Sequence, residues 1–204
     1  MNEVEIANGC AKAPKGEWLM AAGQPAAHSG DCRVTGQRGL VVPDRSRLRV
    51  AVASDDVYCA SATHPFLTRL DAPPDKPVSV VSGKVLIAPR AARTGARGIR
   101  LVPMSFRRTT VVTDFRGGWA VAATRSRVTR LALDEDALLS VRLDALVAWI
   151  GRDPTGFCPR LGVMDLLLPR GPRNLAFRFH GPAVVWFEGA SSAPACFGKA
   201  VSAR

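Results

Sequence analysis

Glycine and proline divide the chain into short segments along its whole length. The 204 residues include 18 glycines and 15 prolines. These residues interrupt the sequence about every ten positions, close to the spacing of strands in a β sandwich or barrel. Hydrophobic residues make up 47% of the chain and charged residues 22%, so a folded core is expected. The sequence therefore predicts an all-β fold, with a β sandwich as its simplest form.

The segments between these breaks have the patterns of strands. Residues 138–142 alternate between apolar and polar side chains, which is typical of a half-buried strand. Residues 109–113 are β-branched throughout, and residues 119–123 are almost continuously apolar. Residues 78–87 form two apolar runs separated by Ser82-Gly83. We interpret these two runs as a pair of strands.

A short motif occurs twice in the sequence. Residues 113–122 align with residues 177–186, an offset of 177 − 113 = 64 positions, and both copies read as strand, glycine turn and strand. This recurrence indicates two copies of one β unit packed together. We predict that Phe115 and Phe179 are buried beside their turns. The glycines of the turns would bend the chain where a side chain would clash.

The repeat and the composition suggest a domain division. Residues 1–30 are rich in Ala, Gly, Lys and Pro with little periodicity, so we expect an irregular N-terminal segment. Residues 31–204 are expected to form one β domain. This domain could consist of two β units, at residues 31–103 and 104–190, followed by a tail at 191–204.

Positive charge is concentrated in one central segment. The formal net charge of the chain is +11, and residues 84–130 contain eleven basic residues against one acid, Asp114, a balance of +10. The flanking parts of the chain are nearly neutral. Such a cluster can neutralise phosphates, so nucleic acid or an acidic protein is a candidate partner. The predicted anion-binding residues are Arg90, Arg93, Arg97, Arg100, Arg107 and Arg108.

An alternative explanation of the basic segment is an ordinary solvated surface. Arginines outnumber lysines 23 to 5 over the whole chain, which indicates a general bias towards arginine. Few aromatic residues lie nearby, so no platform for stacking bases is evident.

Motifs that mark enzymes and cofactor sites do not occur. The sequence contains no GxSxG, P-loop, HExxH or GxGxxG motif. His28, His64 and His180 are isolated from one another, and the acids of residues 134–136 are expected to form a solvated turn. We therefore expect no catalytic residues, no cofactor and no metal, although an enzyme with an unrecognised site is a further alternative.

The cysteines and the N-terminus favour a cytoplasmic protein. Five widely spaced cysteines without a CxxC pair predict reduced thiols rather than disulfides or a zinc site. The acidic N-terminus is unlike a secretory leader. No apolar run approaches the roughly 20 residues of a membrane-spanning helix, so no membrane span is expected.

The C-terminal half resembles a known family. Residues 118–121, 131–134, 139–142 and 145–149 follow one strand-and-turn pattern, and residues 175–186 are similar to a glycine-centred hairpin. Both resemble the altered-inheritance-of-mitochondria family of mitochondrial biogenesis proteins and their bacterial relatives. The resemblance covers about residues 105–190, and Ala183 stands where the family hairpin often has a second glycine.

This resemblance implies a fold similar to that of the trp RNA-binding attenuation protein, a β sandwich or double-stranded β-helix. It also implies a tendency to form homo-oligomers, and it carries no catalytic residues with it. We therefore expect a non-catalytic β-rich binding or scaffold protein that self-associates.

Overall fold

The fold is all-β. The computed structural model describes residues 3–21, 25–29, 32–35, 48–61, 63–92, 99–105, 108–157 and 176–189. These residues form 19 β-strands and two short 3₁₀ turns, at Ser82–Lys84 and Arg90–Ala92. The prediction of an all-β fold is confirmed.

The strands fall into three successive units of six, preceded by one extra strand, β1 (Glu5–Ala7). Unit 1 consists of β2 (Cys10–Ala13), β3 (Gly16–Ala21), β4 (Pro25–Ser29), β5 (Cys32–Thr35), β6 (Leu48–Ala53) and β7 (Val57–Ser61). Unit 2 consists of β8 (Phe66–Ala72), β9 (Val78–Val81), β10 (Val85–Pro89), β11 (Ile99–Ser105), β12 (Arg108–Phe115) and β13 (Gly118–Thr124). Unit 3 consists of β14 (Val128–Leu133), β15 (Leu138–Arg142), β16 (Leu146–Ile150), β17 (Thr155–Phe157), β18 (Ala176–His180) and β19 (Ala183–Glu188).

The three units share one pattern of antiparallel pairing. In each unit the sixth strand pairs with the first and the third strands, as β13 does with β8 and β10. The fifth strand pairs with the second and the fourth, as β12 does with β9 and β11. Even the irregularity recurs, because the third and sixth strands shift register once in every unit. The internal repeat therefore has three copies, and the motif noticed in the sequence is the turn between the fifth and sixth strands of units 2 and 3.

Neighbouring units are joined by one further antiparallel pairing. The second strand of one unit pairs with the third strand of the next, through β3 with β10 and β9 with β16. These links create two central sheets of six strands each, ordered β5-β6-β3-β10-β13-β8 and β11-β12-β9-β16-β19-β14. Two smaller outer sheets contain the remaining strands, β1-β2-β7-β4 and β15-β18-β17.

The four sheets lie in layers with a hydrophobic core in each of the three spaces between them. On β3, Trp18 belongs to the core shared with the first outer sheet, whereas Leu19 belongs to the core between the two central sheets. On β19, Trp186 belongs to that central core, whereas Val185 belongs to the core shared with the second outer sheet. Alternate residues of a strand point to opposite faces, so the inner strands of the central sheets have a core on both sides.

This layering explains the two sequence patterns. Strand β13 is buried at six consecutive positions, 119–124, because it has a core on each face. Burial on both faces explains why its sequence is a continuous apolar run. Strand β15 alternates between exposed and buried residues because only one of its faces meets a core. The continuous runs therefore mark inner strands of the central sheets, whereas alternating runs occur in the outer sheets and at the edge of a central sheet, as in β14.

The glycine turns behave as the repeat predicted. Phe115 and Phe179 are fully buried, in the central core and in the core of unit 3 respectively. Gly117 has φ of +64°, in the left-handed region that favours glycine. A Cβ at Gly181 would overlap the backbone carbonyl of Asp134. The acidic turn at residues 134–136 is exposed, as expected.

The domain boundaries differ from those expected. Residues 5–21, inside the segment expected to be irregular, contain β1, β2 and β3, whose small residues Ala11 and Ala13 are fully buried. Short strands rich in alanine have too little periodicity to be recognised from composition. The strands of residues 31–103 and 104–190 also do not form separate units, because β9 pairs with β12 and β13 pairs with β8.

Candidate functional site

A short 3₁₀ turn carries the chain from one central sheet to the other. Ser82, Gly83 and Lys84 form this turn between β9 and β10, which lie in different sheets. The hydroxyl groups of Ser82 and Thr113 share a hydrogen bond of 2.7 Å, and both residues are fully buried. The turn is therefore anchored in the protein interior, and it places Lys84 at the junction of units 2 and 3.

Lys84 binds two groups of unit 3. Its ammonium group donates hydrogen bonds to the carbonyl oxygen of Asp144, at 2.7 Å, and to the carboxylate of Glu188. Asp144 lies between β15 and β16, which is the position in unit 3 that corresponds to the Ser82–Lys84 turn in unit 2. The side chains of Lys84 and Glu188 are only 12% and 11% exposed, so this is a buried ion pair.

The second carboxylate oxygen of Glu188 also has a partner. It accepts a hydrogen bond of 3.3 Å from the backbone N–H of Arg125, just after β13. The backbone N–H of Glu188 donates to the carbonyl oxygen of Ala145 at 2.8 Å. We call Lys84, Arg125, Asp144 and Glu188 the junction cluster. Its contacts join four segments of the chain that are distant in sequence.

Burial controls the ionisation of Lys84. Removal of the ammonium group from water lowers the pKa of Lys84, and the nearby charge of Arg125 acts in the same direction. The hydrogen bond and the negative charge of Glu188 oppose this effect only in part. A lysine with a perturbed pKa is a recognised feature of catalytic sites, although structural ion pairs also perturb the pKa of lysine.

His64 lies beside the junction cluster. Burial lowers the pKa of His64, and the positive charges of Arg125 and Lys84 lower it further. Its ring nitrogen Nδ1 is 2.6 Å from the hydroxyl oxygen of Thr63, and its backbone N–H donates to the hydroxyl of Ser61 at 3.2 Å. The histidine that appeared isolated in the sequence is therefore next to a buried charge pair.

The contacts of the junction cluster favour a structural role. The Lys84 ammonium is held by the Asp144 carbonyl and the Glu188 carboxylate, and the remaining Glu188 oxygen is held by Arg125. A nucleophilic or proton-transferring lysine needs an approach for substrate, and burial of both charged side chains limits that approach. The sequence offered no sign of the pair because its members are 104 positions apart.

The predicted anion-binding arginines fall in different parts of the structure. Arg90 is exposed, in the 3₁₀ turn after β10, and its guanidinium forms an ion pair of 2.7 Å with Glu17 of β3. Arg100 is opposite Val112 in the β11–β12 pairing, and Arg108 is opposite Ser105. Arg93, Arg97 and Arg107 lie outside the described residues. The structure thus places Arg100 and Arg108 on one hairpin and gives Arg90 an acidic partner.

Other arginines of the basic segment are exposed. These are Arg116, Arg125, Arg127 and Arg130. The guanidinium of Arg130 lies 5.7 Å from the centre of the Trp186 ring, which is a cation–π contact across the β14–β19 pairing. The only acid of the segment, Asp114, accepts a hydrogen bond from Ser79 at 2.7 Å.

Two common features, a metal-ligand cluster and a membrane-spanning helix, are absent from the described residues. Within these ranges, no three His, Cys, Asp or Glu side chains come together as metal ligands would. The same part of the chain contains no helix with the length and apolarity needed to cross a membrane. Cys10 and Cys59 are present as thiols, half-buried and buried respectively.

Comparisons with known proteins identify the fold. No protein-family model matches the chain, and no curated protein is similar to it in sequence. The chain is similar in structure to protein SPYM3_0169 from Streptococcus pyogenes, solved by X-ray crystallography. The two share 12% sequence identity with a TM-score of 0.67, and the match covers 93% of each chain. At this identity the likeness establishes that the two proteins share one all-β, sandwich-like fold.

Proposed function

We propose that the protein is a non-catalytic binding or scaffold protein that self-associates. The observation that carries this proposal is the set of contacts that the junction cluster makes within the protein. Its buried charges, Lys84 and Glu188, contact each other and the backbone of neighbouring units. They hold unit 2 to unit 3, which is a mechanical role.

The stacked units support the scaffold role. Repeated units that stack on one another build an extended surface, and repeat proteins use such surfaces for binding. The outer sheets carry partly exposed apolar side chains, among them Tyr58 at 44% and Leu138 at 58% exposure. Apolar groups of this kind on a surface are available to a partner.

The family resemblance and the location are parts of the same proposal. The resemblance to the altered-inheritance-of-mitochondria family, carried by residues 105–190, implies self-association and carries no catalytic residues. The spacing of the cysteines favours the cytoplasm.

Sedimentation velocity over a hundredfold range of protein concentration tests this proposal. A self-associating scaffold sediments as species larger than the 21.8 kDa chain, and their fraction rises with concentration. A single 21.8 kDa species at every concentration would refute self-association. The Lys84→Met/Glu188→Leu variant is measured in the same way. Because apolar side chains then fill the junction, a scaffold should show the same distribution of oligomers as the parent chain.

A second candidate function is polyanion binding by the basic segment. The observation that favours it is the balance of +10 in residues 84–130, together with the exposure of Arg116, Arg127 and Arg130. Binding to phosphates weakens as salt rises, with a log–log slope of about −0.7 per contact for single strands.

Charge reversal separates this function from an ordinary basic surface. The Arg93→Glu/Arg97→Glu/Arg100→Glu variant should bind single-stranded RNA more weakly at low salt and with a flatter salt slope. The Arg142→Glu/Arg152→Glu variant is the control, since both residues are exposed but lie in unit 3 outside the segment. If the triple variant binds as tightly as the parent chain, the segment is not a binding site.

A further inference from the structure

The pairing that joins neighbouring units has a fixed geometry. Between units 1 and 2, Leu19 of β3 lies opposite Ala88 of β10. Between units 2 and 3, Ser79 of β9 lies opposite Trp149 of β16. The pairing of the third strand with the sixth shifts register after Val85 in unit 2 and after Leu146 in unit 3. Ala88 and Trp149 each lie three positions beyond that residue, so they occupy equivalent places in their units. The third strand therefore presents the same position to the preceding unit at both junctions.

The two ends of the stack lack this pairing. Strand β15 is the second strand of unit 3, equivalent to β3 and β9, and it ends its sheet. Strand β4 is the third strand of unit 1, equivalent to β10 and β16, and it also ends its sheet. Among the described strands, neither has a neighbour on that side. The edges that link neighbouring units inside the chain therefore occur again at the two ends of the stack, where no described strand pairs with them.

Other strands at sheet edges do not share this property. The first strands β8 and β14 and the fourth strands β5, β11 and β17 end their sheets, so an edge position is their place in the repeat. The first strand is covered only in unit 1, where β1 from outside the repeat pairs with β2, whereas the second and third strands are covered inside the chain by strands of a neighbouring unit. The open edges of β4 and β15 are therefore complementary by the repeat itself.

The two open edges cannot meet within one chain. Strand β4 is in one outer sheet and β15 is in the other, and both central sheets lie between them. Packed sheets are about 10 Å apart, so three spaces separate the edges by roughly 30 Å. The two edges therefore cannot pair with each other in one molecule, whereas the edge of one copy can pair with that of a second.

We propose that β15 of one copy pairs with β4 of a second copy in antiparallel, head-to-tail fashion. This inference rests on the proposed self-association and names its surface. The result would be a continuous sheet that unites the two outer sheets, built like the central sheets inside the chain. Because each copy keeps one edge open after pairing, the contact is heterologous and propagates into a chain or a closed ring.

The composition of β15 supports such pairing. Leu138, at its start, is 58% exposed and is the most exposed large apolar side chain among the described residues. Proteins that avoid edge pairing place proline or charged residues on such strands; in β15 (LLSVR) and β4 (PAAHS) these residues occur only at a strand end, as Arg142 and Pro25. Strand β15 thus combines an open edge with an unprotected apolar residue.

The repeat also defines the register of the contact. Ser79 lies opposite Asp114 in unit 2, and Ser140 lies opposite Arg178 in unit 3. The 64-residue offset of the repeat aligns Asp114 with Arg178. Ser140 is therefore the counterpart of Ser79. Within unit 1, His28 follows the register shift as Trp149 does in unit 3. The proposed contact sets Ser140 of one copy opposite His28 of the next.

Site-specific photo-cross-linking tests this register. A benzophenone amino acid is placed at Ser140, which is exposed, and the irradiated full-length chain is analysed by electrophoresis and peptide mass spectrometry. We expect bands at multiples of 21.8 kDa, with the cross-link in residues 25–29. The control position is Thr155, exposed on β17 at the opposite edge of the same sheet. Cross-links that fall elsewhere, or equally from both positions, would overturn the inference.

A lysine on the edge provides a second measurement. Ser140→Lys should raise the dissociation constant of the oligomer at least tenfold, because a charged edge residue opposes pairing, whereas Thr155→Lys should leave it unchanged. If the protein oligomerises but neither variant changes the dissociation constant, the inference fails and the proposed function stands. If the parent chain sediments only as a monomer, both fail.

Discussion

The central and outer sheets of this protein are built from the same six-strand unit but experience different surroundings. Strands β13 and β16 of the central sheets are buried on both faces, whereas β15 and β18 of the second outer sheet are buried on one. A strand's position in the stack therefore affects how much of it meets water, and so does its place in the unit, because the first strands β8 and β14 at the edges of the central sheets are only partly buried. Stability should reside in the central sheets, and surface available to partners should reside in the outer ones.

The largest expected effect separates the two kinds of sheet directly. Trp149 of β16 is fully buried and packs against Phe177 and Phe179 with ring centres 6.4 and 5.9 Å away. Trp149→Ala should reduce the free energy of unfolding by about 4 kcal/mol, because it leaves a large cavity. Urea denaturation measures this loss. Leu138→Ala on the outer sheet is the control and should change stability by less than about 0.5 kcal/mol.

A comparable loss in the Leu138 variant would contradict the difference between the sheets. It would mean that the exposed face of the outer sheet is covered within the folded monomer.

A smaller effect is expected at the ion pairs that join the units. Glu188→Gln should reduce the free energy of unfolding by about 3 kcal/mol, because it leaves the buried Lys84 ammonium without a countercharge. Glu17→Gln removes the ion pair with Arg90, whose side chains are 54% and 52% exposed, and should cost less than about 1 kcal/mol. Denaturant midpoints at low and high salt measure both, and only the exposed pair should be salt-sensitive.

The double variant Lys84→Met/Glu188→Leu is the control for the buried pair. Replacing both charges by apolar side chains should restore most of the stability lost in Glu188→Gln, since no uncompensated charge then remains. If the double variant is as unstable as Glu188→Gln, the lost hydrogen bonds to Asp144 and Arg125, and not the uncompensated charge, account for the loss of stability.

The smallest effect concerns pH. The folded-state pKa of His64 lies below the ordinary value of 6.5 because of burial and the charges of Arg125 and Lys84. Between the folded pKa and 6.5 the unfolded chain therefore binds more protons than the folded chain, and stability decreases as pH falls through this window. His64→Asn should remove this part of the pH dependence in urea denaturation. His180→Asn should leave it intact, because His64 is then unchanged.

The sequence predicted strands and turns well because these depend on neighbouring residues. The alternation in residues 138–142 and the buried Phe115 and Phe179 follow from local pattern, and the structure confirms them. The assignment of strands to sheets was beyond local pattern. Residues 78–87 were interpreted as a pair of strands, yet β9 and β10 enter different sheets, because Ser82 and Thr113 anchor the turn between them.

Functional contacts were harder still to predict. Arg90 and Glu17 are 73 positions apart, and Lys84 and Glu188 are 104 positions apart, so no spacing in the sequence connects them. The one available signal was Glu188 itself, a single acid at the end of the apolar strand β19. A carboxylate in that position indicates either a solvated strand end or a buried charge with a partner, and only the fold decides between them.

Hydrogen–deuterium exchange, followed by mass spectrometry of peptides, tests the layered arrangement most directly. We expect the amides of β9, β10, β13, β16 and β19 to exchange last and together, because they lie in sheets covered on both faces. The amides of β1, β15 and β17 should exchange first, since these strands end the outer sheets. Equal protection of the outer and central strands, or faster exchange in the central ones, would contradict the account of a stack with two doubly covered sheets at its centre.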